Sequence, residues 1–172
     1  MTTHSQGAVE NPRRMLFLYT TLSALMACSA ISTDLYLPGL PSIESQMGGN
    51  IELTITGFLI GFAIAQLIWG PVSDRIGRKI PLMLGMAIFA VGSAGCALAS
   101  TTTELVLWRL VQAVGACVGP MLARAIVRDM YQGVRAAQVL STLVLIMAIA
   151  PIAGPLLGGF LVVSGGWRLT FW

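Results

Sequence analysis

The sequence predicts an all-α membrane protein, a bundle of about five apolar helical spans followed by the start of a sixth. Three observations carry this expectation. Hydrophobic residues fill 56% of the 172 positions and charged residues 10%, too few charges to tile the surface of a water-soluble fold of this length. The apolar residues fall in runs of about 20, the length that crosses a hydrocarbon core as a helix. The basic residues collect in alternate connections between these runs, the asymmetry that sets orientation in a bilayer.

Taken in order, a tail at 1–14 precedes a helical bundle at 15–172. Span one, at 15–36, follows Arg13 and Arg14. Its Leu25-Met26-Ala27-Cys28 stretch loosely resembles a lipoprotein cleavage box, but the run continues to Tyr36 and four more follow, so an uncleaved helix is the better account. Spans two to five cover 53–72, 80–100, 105–127 and 136–163, and a sixth begins near Trp167. The connections are polar: Pro38 to Asn50 in proline and glycine, Ser73 to Lys79 in charge, then Ser100 to Glu104 and Arg128 to Arg135.

Bases precede span one, recur as Arg75, Arg78 and Lys79, and recur again as Arg124, Arg128 and Arg135. The alternate loops carry Glu44, Glu52 and Glu104 and no base. This pattern places the N-terminus in the cytoplasm, the chain as a multi-pass protein of the cell inner membrane, and Arg168 as the single base near the outer face. Glycines such as Gly57, Gly61, Gly85, Gly92, Gly95, Gly115 and Gly119 lie inside the spans, where small residues let backbones approach.

Enzyme chemistry finds no support. Cys28, Cys96 and Cys117 lie in apolar runs without a short-spaced pair, and the single histidine, His4, is near the start, so no metal-ligand cluster and no nucleophile with its base can be assembled. There is no cofactor or nucleotide signature. The net charge of +3 comes from scattered bases that form no face for nucleic acid.

The loop after span two reads Gly70-Pro71-Val72-Ser73-Asp74-Arg75-Ile76-Gly77-Arg78-Lys79. A generic basic loop explains its bases but not their ordered spacing with Gly and Asp, and the segment resembles the signature between helices two and three of the major facilitator superfamily. Leu105 to Gln112, opening span four as LVLWRLVQ, is similar to that superfamily's helix-four motif, with Ala113 where glycine is usual. Ala150 to Gly159, reading APIAGPLLGG, resembles the helix-five motif associated with antiporters, with Ala150 in place of its first glycine. Thr33 to Pro41, TDLYLPGLP, is similar to the Bcr/CflA group of drug:proton antiporters.

These resemblances cover nearly all of the chain after residue 14. They imply the N-terminal six-helix half of a twelve-helix major facilitator fold, truncated at the start of helix six, with a missing C-terminal half as partner. They imply for the parent protein an exporter of multiple drugs or phenicols, small amphipathic molecules, driven by proton entry through alternating access. Two other readings stay open: a metabolite uptake carrier of the same superfamily, and a non-transporting half that acts only by association.

Five groups of residues follow as candidates. Arg109 is a cation on an apolar helix, so either it snorkels to the headgroups or it faces the bundle, where the resemblance implies a part in proton coupling. Asp34 either contacts headgroups or turns inward, and inward it is the carboxylate that binds and releases the proton. Gly70, Asp74, Arg75, Gly77, Arg78 and Lys79, with Arg124 and Arg128, form by resemblance a cytoplasmic latch, Asp74 pairing with Arg75, Arg78, Arg124 or Arg128. Pro151 and Pro155 bend span five about one turn beyond its middle, with Gly154, Gly158 and Gly159 around them; the bend is either a simple kink or a seal against proton leak. Tyr36, Gln66, Gln112 and Met147 are candidate linings of a substrate cavity.

Overall fold

The computed structural model describes residues 12–172; the predicted tail up to residue 11, with His4, lies outside the described residues, as do the side chains of Arg13 and Arg14. The described chain is helical with short connections: α1 (Pro12–Asp34), α2 (Leu40–Met47), α3 (Glu52–Ile76), α4 (Lys79–Leu98), α5 (Thr102–Ala116), α6 (Val118–Met130), α7 (Gly133–Met147) and α8 (Ala150–Gly165), with 3-10 turns at Leu37–Gly39 and Trp167–Phe171. Four stretches are long and apolar enough to cross a membrane among the described residues: Glu52–Ile76, Lys79–Leu98, Thr102–Met130 and Gly133–Gly165. At 23 residues α1 is also long enough, since ~1.5 Å per residue gives roughly 34 Å.

Two of these spans are broken, each by proline. Pro120 cannot donate to the Ala116 carbonyl and its ring crowds that turn, so the fourth span divides at Cys117 into α5 and α6. In the fifth span the break falls at Ala148–Ile149, ahead of Pro151 and not one turn past the middle. The reason is the same: a proline disturbs the carbonyl four residues before it, here Met147, and the chain tightens through Ile149 N–H to Ile146 O at 3.2 Å. Where the sequence predicts the start of a sixth span, Trp167–Phe171 form a 3-10 turn. Gly166, with φ of 82°, redirects the chain and lays Trp167 and Phe171 into the core, Trp167 Nε1 donating to Gln46 Oε1 at 3.1 Å.

Glycine contacts set the spacing of the bundle. A Cβ on Gly92 would lie 2.6 Å from the Gln112 backbone, and one on Gly85 would meet Val118 at the same distance, so α4 rides directly on α5 and α6. Gly115 returns the contact against Phe89 and the Gly85 carbonyl. Gly119 brings α6 to 2.6 Å of the Leu25 carbonyl of α1 by the same measure. Water exclusion does not hold helices together in lipid, so contacts this close supply dispersion and allow small shape mismatches to matter. The outer surface of α3, α4 and α8 presents Leu67, Ile68, Met83, Val91, Leu156, Phe160 and Val163, an apolar rim suited to acyl chains or to further protein and unlike any soluble surface.

The ends of the bundle differ. At one end Tyr36, Ile43, Ile51, Cys96, Leu105, Trp167 and Phe171 form a buried cluster that joins α1, α2, α3, α4, α5 and the last turn. At the other end the two basic turns meet, because Arg78 at the start of α4 reaches Asp129 at the end of α6, Nε to Oδ2, at 3.1 Å.

Candidate functional site

The α5 helix begins with a capping box: Glu104 N–H donates to Thr101 Oγ1 at 3.2 Å and Thr101 N–H to Glu104 Oε2 at 3.3 Å. From that fixed start, the face made by Leu105, Arg109, Gln112, Ala113 and Ala116 turns into the bundle. Arg109 is 1% exposed and does not snorkel. Its guanidinium carbon lies 3.9 Å from the centre of the Tyr36 ring, 5.1 Å from Phe171 and 5.2 Å from Phe58. Nη1 donates to Gln112 Oε1 at 3.0 Å, and Gln112 Nε2 donates to Ser93 Oγ of α4 at 2.8 Å. The Tyr36 hydroxyl donates to Thr54, whose own hydroxyl donates to the Ile51 carbonyl at 2.6 Å. Arg109 Nε is buried without a partner among the described residues. Desolvating a guanidinium costs several kcal/mol, and a desolvated cation–π contact returns about 2 kcal/mol or more. Three rings therefore take the place a carboxylate would ordinarily hold.

Asp34 ends α1 half-buried, its Cβ so close to α8 that a Cβ on Gly154 would lie 2.5 Å from it. It forms no ion pair with Arg109; among the described residues both ion pairs belong to Arg78. The end of α1 sends Asp34 toward α8 and Tyr36, two residues on, toward α5.

The four candidate cavity linings also separate. Tyr36 and Gln112, 0% and 1% exposed, belong to the enclosed set around Arg109. Gln66 lines the charged cleft at the other end, and Met147 packs beside Leu22, Met26 and Leu143. Tyr36 lies in the turn after α1, Gln66 on α3, Gln112 on α5 and Met147 on α7, and no spacing in the sequence aligns these four positions.

At the end with the basic turns, Arg78 Nη1 bonds Asp74 Oδ1 at 2.7 Å and Ser73 Oγ at 2.7 Å while its Nε bonds Asp129. A cleft of about 470 Å³ between α3 and α6 is lined here by Gln66, Gly70, Asp74, Arg78, Arg124, Arg128 and Asp129. Partial burial weakens the Arg78 charge, but the hydrogen bonds and attraction of Asp129 and Asp74 outweigh it and hold the guanidinium above its ordinary range. Gly77 makes the turn possible with φ of 85°. Arg124 turns back to the Pro120 carbonyl at 2.9 Å, and Arg75 and Lys79 are exposed. Asp129 escaped sequence reasoning, although an acid beside Arg128 in a basic turn was its signal. These are exposed pairs, so Asp74→Asn and Asp129→Asn should each lower thermal stability in detergent by less than about 1 kcal/mol. A double-mutant cycle giving strong coupling would mean the cleft is dry and structurally essential.

In α8, Gly154 and Gly158 face α1, where side chains would overlap Asp34 and the Leu35 carbonyl, whereas Gly159 meets open space. Pro151 lies in the first turn and Pro155 inside the helix. The segment thus fits α8 against the end of α1 that carries Asp34.

Apolar spans in one bundle, with a caged cation at one end and a charged turn at the other, define a multi-pass membrane protein. The family model described as Major Facilitator Superfamily matches residues 22–172, and the chain belongs to that superfamily. It is 37% identical over 170 residues to the uncharacterized MFS-type transporter YdgK of Bacillus subtilis (strain 168), covering 95% of this chain and 42% of that protein. It is 35% identical over 154 residues to a chloramphenicol resistance protein of Pseudomonas aeruginosa, covering 87% and 37%. With the multidrug resistance protein MdtL of Escherichia coli it shares 36% identity over 152 residues, covering 87% and 39%. The chain thus spans 37% to 42% of the length of these relatives.

Proposed function

We propose that this chain forms the N-terminal half of a proton-coupled exporter of small amphipathic drugs, working by alternating access in an inner membrane with its N-terminus in the cytoplasm. The observation that carries this reading is Arg109, a buried guanidinium with an unpartnered Nε and, among the described residues, no carboxylate paired with it. A structural role alone would favour an apolar residue there, because an unpaired buried charge opposes folding. The names of two relatives, one for chloramphenicol and one for multiple drugs, support the substrate class. In this scheme Asp34 carries the proton, a second half supplies the other wall of the path, and the Arg78 cleft closes the cytoplasmic side. The exposure of that cleft suits a latch that opens readily.

The reading is tested in inverted membrane vesicles made from cells expressing the full reading frame, with an imposed pH gradient and radiolabelled chloramphenicol. Wild-type protein should accumulate the drug only while the gradient lasts. Asp34→Asn should lower that gradient-driven uptake into the vesicles about tenfold or more, since a coupling carboxylate contributes upwards of ~1.4 kcal/mol to the driven step. Undiminished transport by the Asn variant would remove Asp34 from coupling.

A further inference from the structure

We propose that Tyr36 is the positioning residue through which the end of α1 governs Arg109, so that the proton-bearing and cationic sites communicate through an aromatic ring and not by ion pairing. The inference rests on the functional reading above and deepens it.

The connection is geometric. Asp34 and Tyr36 are separated by one residue at the point where α1 stops, and they pack against different elements, Asp34 on α8 and Tyr36 on Arg109. A change in the charge of Asp34 alters its fit against Gly154, and any movement of this short segment carries the Tyr36 ring with it. The ring is 0% exposed and enclosed by its neighbours, so a movement of the segment is passed to the groups it touches. One side of it stacks on the guanidinium; Phe171 packs beside it, ring centres 5.6 Å apart. Its hydroxyl is anchored to Thr54 on α3.

Besides the Tyr36 phenol itself, the one titratable group near Arg109 among the described residues is the Cys96 thiol of α4. From α3 come Phe58 and Thr54, from the last turn Phe171, and from α5 itself Gln112, all without charge. A carboxylate in this shell would bind Arg109 directly and make the ring dispensable. Because none is there among the described residues, the Tyr36 ring face and the Gln112 side-chain carbonyl are the close partners of the guanidinium, and the position of the ring contributes to how firmly Arg109 is held and where its unpartnered Nε points.

Three variants separate the parts of this arrangement. Tyr36→Leu removes the ring, Tyr36→Phe keeps the ring and removes its anchor, and Thr54→Val removes the anchor from the other side. The first readout does not depend on transport: the guanidinium N–H resonances of arginine-labelled full-length protein in nanodiscs, with Arg109 assigned by their loss in Arg109→Lys. The ring face should displace the Arg109 resonances upfield, an effect lost in Tyr36→Leu and retained in Tyr36→Phe. The second readout is gradient-driven chloramphenicol transport against pH, with drug binding measured separately. Tyr36→Leu should lower transport about tenfold or more and displace its pH profile while binding is kept, a change commensurate with a desolvated cation–π contact. Tyr36→Phe and Thr54→Val should lower the rate modestly and keep the wild-type profile.

Arg109 resonances unchanged in Tyr36→Leu would overturn the cage. A cage confirmed by resonance, with an unaltered pH profile in the same variant, would overturn the communicating role of Tyr36. Absence of gradient-driven transport by the wild-type protein would instead overturn the functional reading and the communicating role that rests on it, leaving the ring contact as packing.

Discussion

Gly115→Leu should abolish accumulation of a correctly folded protein in the membrane, because the atoms it would meet cannot move aside. A Cβ at Gly115 would overlap the Phe89 amide and the Gly85 carbonyl, both main-chain groups of α4. A flexible side chain could swing away, but a helix backbone could yield only by translating as a body. That translation would separate Gly92 from Gln112 of α5 and Gly85 from Val118 of α6, contacts that seat α4 on both helices. Overpacking a single core position commonly costs about 1 to 3 kcal/mol, and forcing two helices apart adds the loss of every neighbouring contact. Gly159→Leu provides the comparison, since nothing lies within 4 Å of its would-be Cβ and leucine is the better helix former. That variant should match or exceed wild-type stability, by at most about 1 kcal/mol. Fluorescence-detected size exclusion in mild detergent checks both: loss of the monodisperse peak for Gly115→Leu and its retention for Gly159→Leu. A wild-type elution profile for Gly115→Leu would show that α4 and α5 are held less closely than these contacts require.

That contrast also marks what could be read from the sequence. The glycines of the spans were visible as packing residues, but which of them touch backbone depends on helical phase and partner, and Gly115 and Gly159 look alike on the page. The membrane bundle itself was legible because hydropathy acts on every residue of a span and the error at each boundary is a few residues. The breaks were half legible: Pro151 announced one, yet its place is set by the Met147 carbonyl behind it, and Pro120 implied another at Cys117 by the same rule. The helix α2 was hidden in a segment rich in proline and glycine. Arg109 stood out by its chemistry alone. Its surroundings did not, because Tyr36, Phe58, Ser93 and Phe171 come from four separate segments and carry no mutual spacing. Asp34 was selected as the only acid within span one, and its packing against Gly154 of α8 could not be read from that position.

Arg109→Met should yield a protein that is folded, at least as stable as wild type, and inactive in gradient-driven transport. Methionine has a comparable length and no charge, so it fits among Tyr36, Phe58 and Phe171 and makes favourable sulfur–aromatic contacts. The loss of one hydrogen bond is limited, because Gln112 keeps its bond to Ser93 and only its Oε1 loses a donor, a deficit of about 1 kcal/mol. Against this stands relief from an unpartnered buried guanidinium, and replacing a buried charge with an apolar residue of similar volume is neutral or stabilising by about 1 to 4 kcal/mol. Arg109→Lys should be inactive as well and less stable than the methionine variant: an ammonium is compact and strongly hydrated and lacks the planar fork that stacks on Tyr36 while bonding Gln112. Melting in detergent and vesicle transport, measured on the same preparations, decide the matter. Stability rising while transport falls about a hundredfold or more, ~2.7 kcal/mol of the driven step, is the signature of a charge retained against folding for the sake of coupling. A methionine variant that melts several degrees below wild type would reverse the inference, making Arg109 a structural tie between α5 and the end of α1 and removing the main physical reason to assign it to proton exchange.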